Sequence, residues 1–436
     1  MKALKPFLMI FGVAVTSCYF FPFILADFPI ANSKMILAVI GLVLLGYSLT
    51  KKGNAKIDRD FITLSLWALA VSLIAFVSMT FNHTPDDTFA TYFMSMWVWL
   101  GGAYAVVWLI RTIHGEITVP VIVNYLLAVC VLQCILALVF DNNPAASDWQ
   151  IATFEGEGYM GMKEDRMHGI GCSLDVAGFR FAAVICMTAF ILCHKSPKKS
   201  GWVSMLYIIA ICFVSVVGNM ISRSTVIGTA IALLYIVSVG IISNKNIKLF
   251  TQLSVFTICA IIICVYLYNS DEGFRSNIRF GFEGFFSLVE TGEWESHSND
   301  ILKNMVVWPE TLKTWLIGDG YFNNPADNTL ETFDPYYTGE YFGGFYKATD
   351  IGYLRYIFYF GLLGLISFAL FFVQVCVICA RRFPAFKWMF IIILAINFIQ
   401  WFKVSTDLFV VFAPFLCISA KENGKALHPV KEPSDL

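Results

Sequence analysis

Charged side chains are scarce in this 436-residue sequence: Asp, Glu, Lys and Arg make up only 14% of it, against roughly a quarter in soluble domains. A chain that poor in charge, 58% hydrophobic and with a mean hydropathy of +0.70, excludes an ordinary soluble protein. The net charge is −1, so no basic surface argues for nucleic acid. Loop cysteines are lacking too. Eleven of the 12 cysteines (Cys18, Cys130, Cys134, Cys186, Cys193, Cys212, Cys259, Cys264, Cys376, Cys379 and Cys417) fall inside apolar runs, and Cys172 in a polar segment has no loop partner. That excludes a disulfide framework. Cys376 and Cys379 have C-x-x-C spacing but no nearby His or second pair, so small apolar packing is the better reading. There is no Walker loop, no H-E-x-x-H and no nucleophile elbow. Gly318-Asp319-Gly320 is too short to claim a nucleotide, and His83, His168 and His297 are too scattered to suggest zinc. Neither a metal nor a cofactor is expected.

What is abundant is long apolar runs. Runs of about 17–25 apolar residues match the length needed to cross a hydrocarbon core of roughly 30 Å. They predict an all-α polytopic membrane protein of about 12 transmembrane helices. The spans fall near 7–26, 34–50, 61–80, 93–111, 118–140, 178–194, 201–219, 224–243, 249–268, 351–380, 388–402 and 404–420. Run 7–26 has no small-residue cleavage pattern and reads as a retained helix. Lys403 and Asp407 interrupt the last stretch, leaving two short helices or a re-entrant element open. The 41 Phe residues suit lipid-facing and interfacial positions.

Orientation follows from Lys and Arg. With the N-terminus inside, the inner loops and tails hold 18 of the 30 basic residues, including Lys51, Lys52, Lys195, Lys198, Arg381 and Arg382. The opposite loop 81–92 has none and carries Asp86 and Asp87. Both termini are therefore expected to be cytoplasmic, with 421–436 as an inner tail on a single membrane domain over 1–436. Two segments, 141–177 and 269–350, remain outside. The longer holds 14 acidic and five basic residues and an aromatic stretch, Phe333–Tyr346. A loop of that length is expected to be functional and to form a small subdomain of short helices.

The basic residues that defy the inside bias are the informative ones. Arg223 sits in a very short outer turn, Ser222-Arg223-Ser224. An Arg there points to a cavity or ion pair, or else to a snorkelling anchor. Arg166 precedes the sixth span and Arg180 lies about one turn into it. Asp175 is placed to pair with either, and a capped, ion-paired helix start is the alternative to a site. Arg275 and Arg279 are spaced i, i+4 and share a helix face, which suits a diphosphate or ordinary pairing with Asp271, Glu272 or Glu283. Asp350, Tyr353 and Arg355 open the tenth span, where Asp350 is well placed as a helix N-cap.

Arg166-x-x-Gly-x-x-x-x-Leu-Asp-x-x-Gly178, the Ser222-Arg223 turn, Gly318-x-Gly320 and Thr349-Asp-Ile-Gly-Tyr-Leu…Gly361-Leu-Leu-Gly364 together resemble the O-antigen polymerase and O-antigen ligase superfamily. The helix count and the large outer loop between helices 9 and 10 are also similar, and the layout covers most of residues 100–400. The resemblance implies a GT-C-like fold in the bacterial inner membrane and a metal-independent glycosyltransferase working at the periplasmic face. Its donor would be an undecaprenyl-diphosphate-linked oligosaccharide in the lipid bilayer, and a chain-length regulator would be a fitting partner. Diphosphate binding carries onto Arg166 and Arg223, and with them Arg275 and Arg279. Arg180, Tyr353 and Arg355 are the further substrate-binding candidates. The family's ligases typically show His where this chain has Asp350. That departure favours the repeat-unit polymerase branch, with Asp350 activating the acceptor hydroxyl or orienting an arginine. A ligase acting on lipid A-core, or a non-enzymatic flippase of lipid-linked oligosaccharides, are the alternatives.

Overall fold

A computed structural model describes residues 4–51, 58–156, 167–194, 201–243, 247–323 and 344–418. Arg166, most of the aromatic stretch before Tyr346 and the tail 421–436 lie outside the described residues. In chain order the elements are α1 (Lys5–Phe20), β1 (Phe23–Leu25), β2 (Phe28–Asn32), α2 (Ser33–Lys51), α3 (Arg59–Asn82), α4 (Tyr92–His114), α5 (Val119–Asn142), α6 (Pro144–Thr153) and β3 (Phe154–Gly156). Then follow α7 (Leu174–Cys193), α8 (Gly201–Ile221), α9 (Thr225–Ser243), α10 (Ile247–Ser270), α11 (Glu272–Gly281), α12 (Glu283–Glu290), α13 (His297–Asn304) and α14 (Leu312–Leu316). The chain closes with α15 (Gly352–Arg382), α16 (Lys387–Gln400) and α17 (Phe409–Leu416).

A helix stands at each of the twelve expected positions. Among the described residues, seven helices (α2, α3, α4, α5, α7, α8 and α15) are long and apolar enough to cross a membrane, and the apolar parts of α1, α9, α10 and α16 are shorter. This is an all-α membrane protein with one small departure. A three-stranded antiparallel sheet, ordered β2-β1-β3, joins the α1–α2 corner to the end of α6. The first helix was expected to run to residue 26 but stops at Phe20. Pro22 is the reason, because a residue before proline is driven from the helical region, and Phe21 sits at φ −129°, ψ 80°. Ser33 ties the corner, accepting from Phe23 N at 3.0 Å and donating to the Cys18 carbonyl at 2.9 Å.

The centre of the bundle is α7, buried at every residue from Ala177 to Leu192 and packed by α5, α8, α9 and α16. Beside it lies an aromatic core around Phe89, Tyr92, Tyr356, Phe360, Phe368 and Trp401. Phenylalanine was expected to suit lipid-facing and interfacial positions. Phe7, Phe76 and Phe402 are exposed, but Phe179, Phe181, Phe360, Phe368, Phe371 and Phe372 are fully buried. Edge-to-face ring contacts explain that use of Phe inside the bundle.

One end of the bundle is closed by charge. Arg382 reaches Asp58 at 2.5 Å and Asp60 at 2.7 Å and donates to the Leu416 and Ile418 carbonyls, while Arg381 also pairs with Asp60. The acids sit at the start of α3 and the arginines at the end of α15, as the two helix dipoles favour. The opposite end carries α11–α14, where α11 packs on α8, α10 and α12, and α14 packs on α15.

Two helices are broken near that opposite end. In α15, Phe360 and Gly361 leave helical geometry, Gly361 at φ 67°, ψ −171°. The freed carbonyls of Phe358 and Tyr359 accept from Asp319 N at 2.5 Å and Gly320 N at 3.1 Å, and Ser78 donates to the Tyr359 carbonyl at 2.7 Å. The Gly318-Asp319-Gly320 segment is therefore a backbone dock. The second break separates α16 from α17, the two short helices the sequence left open. Its polar backbone is satisfied locally: Leu408 N donates to Asn397 Oδ1 at 2.8 Å, and Trp401 Nε1 donates to the Thr406 carbonyl at 2.9 Å. Irregular backbone at membrane depth is stable only with such partners.

Candidate functional site

The two breaks and two helix starts bring charge together. The Ser222–Ser224 turn meets the start of α7 because Gly178 has no side chain; a Cβ there would stand 2.8 Å from Ser222 Cβ and 3.0 Å from Ser224 Cβ. The turn's serines then reach Asp175. Ser224 Oγ donates to Asp175 Oδ1 at 2.5 Å and Ser222 Oγ at 3.2 Å. Lys403, on the α16–α17 break, completes the group with an ion pair to Asp175 at 2.8 Å. The start of α7 is strained, since Leu174 lies at φ 51°, where a side chain meets the backbone.

Asp175 was expected to pair with Arg166 or Arg180. Arg166 is outside the described residues. Arg180 turns the other way, donating to the Phe20 carbonyl beside the rings of Phe20, Phe21 and Trp99. A buried guanidinium needs carbonyl or carboxylate acceptors, and the end of α1 supplies them.

Arg223 itself faces the short outer helices. Its guanidinium meets Glu283 Oε2 at 2.5 Å, donates to Ser296 Oγ at 2.8 Å and lies 4.2 Å from the centre of the Phe280 ring. It thus links the Asp175 cluster to α12 and the segment before α13.

Asp350 does not cap α15. The helix begins two residues later, with Ile351 at the cap position and no side-chain cap bond. Gly352 is pressed against the Val404 and Trp401 carbonyls, and this docking sets the helix start. The Asp350 carboxylate instead approaches Arg355 at 3.8 Å. Burial pushes its carboxyl up to about 7; Arg355 opposes that rise, Asp175 adds to it and Lys403 opposes it. Asp350 thus senses both members of the Asp175–Lys403 pair, which makes the two clusters neighbours.

Arg355 is 5% exposed and held on several sides. It donates to Ser405 Oγ at 2.6 Å and to the Phe322 carbonyl and Asn323 Oδ1, each at 3.0 Å. The Phe322 and Phe345 ring centres lie 3.8 and 4.0 Å from its guanidinium carbon. Tyr353 packs away from the charges, donating to the Phe398 carbonyl at 3.0 Å with its ring against Trp401 and Phe402.

Arg275 and Arg279 share α11 as expected, but the structure does not bring them to this cluster. Arg275 donates to the Tyr268 and Asn269 carbonyls at the end of α10. Arg279 forms a two-pronged bond with Glu290, both contacts at 2.9 Å. Neither takes an acidic partner from the expected set of Asp271, Glu272 and Glu283: Arg275 is held by backbone carbonyls and Arg279 pairs with Glu290.

The site residue that sequence reasoning missed is Lys403. It was read only as an interruption of an apolar run. The signal that singled out Arg223, a basic residue on the side expected to be poor in basic residues, applies to it equally. Three helix starts, those of α7, α9 and α15, converge here with Lys403, Arg223 and Arg355, and partial positive charge at helix starts favours anions. Each of the three cations has a carboxylate within 4 Å, so the cluster balances charge internally. Among the described residues no group of His, Cys, Asp and Glu is placed to hold a metal. No protein-family model matches the chain, and no curated protein or solved structure matches it either.

Proposed function

We propose that this chain is an oligosaccharide-repeat-unit polymerase, a multi-pass glycosyltransferase of the bacterial inner membrane. The single observation that carries the reading is the joined cluster of Lys403, Asp175, Arg223, Asp350 and Arg355 at the end of the bundle away from Arg381 and Arg382. In this reading twelve helices cross the membrane, both termini are cytoplasmic and the cluster faces the periplasm. The donor is a glycan on an undecaprenyl diphosphate. Lys403 and Arg223 neutralise the diphosphate as it leaves, a task for which fixed cations can replace a metal. An acceptor hydroxyl on a second lipid-linked repeat attacks the anomeric carbon. The bond from that carbon to the phosphate oxygen breaks, and Asp350 takes the hydroxyl proton. A carboxyl near 7 is well matched to that role at neutral pH.

The α16–α17 break favours a second reading. Discontinuous helices with charges at the break are common in transporters, so a flippase for lipid-linked oligosaccharide is the rival. Surface glycan from a deletion strain is the first test. Loss of a polymerase leaves single repeats on the core, loss of a ligase leaves bare core with carrier-linked polymer, and loss of a flippase leaves bare core with carrier-linked single repeats. Either of the last two results overturns the polymerase proposal.

A further inference from the structure

The ion pair between Arg355 and Asp350 is unusually open for a buried arginine. Its nearest N–O distance is 3.8 Å, whereas a charge-assisted bond closes to about 2.7–2.9 Å. The reason lies in what else holds the guanidinium. Ser405 pulls one nitrogen at 2.6 Å, the Phe322 carbonyl and Asn323 Oδ1 hold another at 3.0 Å, and the Phe322 and Phe345 rings cover its faces. The Phe322–Asn323 segment is itself pinned from the opposite side. Asp86 Oδ2 accepts from Phe322 N at 2.8 Å and from Asn323 N at 3.1 Å, and Asn323 bridges to Phe345. Three separate parts of the chain therefore fix one guanidinium: the α3–α4 loop through Asp86, the α16–α17 break through Ser405, and the segment after α14.

We propose that Arg355 is a positioning residue whose guanidinium is held at a fixed offset from the Asp350 carboxylate, close enough to orient it and too far to close on it, so that Asp350 stays available as a base. This rests on the polymerase reading for its purpose, but the offset is a property of the folded protein alone. With its side chain only 5% exposed and two rings over its guanidinium, Arg355 has little left for a substrate, whereas the Arg223 side chain is 17% exposed; Arg355 therefore acts through Asp350 and does not grip the diphosphate. The charged groups facing Asp350 are Arg355 from the first turn of α15, Lys403 from the α16–α17 break and Asp175 from the start of α7. Burial raises the Asp350 carboxyl to about 7, and an arginine allowed to close on it would draw it back toward the ordinary carboxylate range.

Two substitutions separate this from a merely structural role, because they move the titration in opposite directions. Arg355→Gln removes the opposing cation, so the Asp350 midpoint rises by about one unit or more. Ser405→Ala releases one tether, lets the guanidinium approach Asp350 and lowers the midpoint. The midpoint is read by infrared titration of the purified full-length protein in detergent, using the carboxyl band that disappears in Asp350→Asn. No substrate is needed, so the result stands even if the protein proves not to polymerise glycans. If Arg355→Gln does not fold, the downward shift in Ser405→Ala still decides. A Ser405→Ala midpoint that stays put or rises overturns the proposal, as does an unshifted Arg355→Gln. Where polymer extension is measurable, the Arg355→Gln defect at pH 7 should be about fivefold or more and should recover as the pH is raised. A pH-independent loss of the same size would point to structure alone.

Discussion

Removing Lys403 should do two different things, and a double-mutant cycle with Asp175 separates them. The two side chains meet at 2.8 Å and are 27% and 23% exposed. Breaking a fully buried pair by deleting one partner costs about 3–5 kcal/mol, while an exposed pair is worth about 0–1 kcal/mol. A quarter-exposed pair falls between, so Lys403→Met should lose about 2 kcal/mol, leaving Asp175 with only its two serine donors. Asp175→Asn keeps an acceptor for one serine and should lose a similar amount by stranding Lys403. The double variant removes both charges, and the coupling should be about 1–2 kcal/mol in favour of the pair. Thermal unfolding in detergent gives the four stabilities. Additivity within about 0.5 kcal/mol would refute the claim that the pair holds α7 to the α16–α17 break. The same four proteins also report on chemistry. If Lys403 handles a departing diphosphate, the double variant regains stability but not polymer length. Recovery of both would make Lys403 a structural residue only.

Other changes test neighbouring parts. Arg223→Ala and Arg223→Lys should both shorten the polymer on a surface-glycan gel while the protein still reaches the membrane, because Lys cannot reproduce the planar fork; normal chain length in Arg223→Ala would sink the diphosphate role. Gly361→Ala should destabilise the protein by about 2 kcal/mol or more in the same unfolding assay, since Gly361 sits at φ 67°, ψ −171° with Leu316 and Ile317 backbone against its Cβ position. An unchanged midpoint for Gly361→Ala would mean that the α15 break is not held by its contact with the 316–320 segment.

Helix positions were legible because crossing a bilayer demands a length of apolar residues that little else in a sequence imitates. The interruption at Lys403 and Asp407 marked the α16–α17 break, but nothing marked the break within α15. Apolar residues run through Phe360 and Gly361 without interruption, and only the docking of Gly318-Asp319-Gly320 onto the freed carbonyls shows why α15 is split there. Asp350 had the right residue type for a cap, but Gly352 had to seat against the Val404 and Trp401 carbonyls, and that contact lies some 50 residues away in sequence. Arg223 was legible as a residue out of place. Its partners Glu283 and Ser296 were not, because they come from short helices whose placement depends on the bundle beneath them. Arg275 and Arg279 had helix-sharing spacing, as read, but spacing on one helix cannot tell a ligand face from a packing face. Asp175 and Lys403 stand far apart in the chain and meet only where the α16–α17 break reaches the start of α7, and the serines that share Asp175 reach it because Gly178 has no side chain.

The most direct measurement is extension by the purified protein. Full-length protein in detergent, given a lipid-diphosphate-linked repeat unit and no ion gradient or nucleotide sugar, should produce a ladder of longer lipid-linked glycans and release free lipid diphosphate. Lys403→Met combined with Asp175→Asn should abolish the ladder in protein that still unfolds cooperatively. Substrate that remains a single repeat with the intact protein, while the same protein moves it across a vesicle membrane, would contradict the polymerase account and leave the transporter reading in its place.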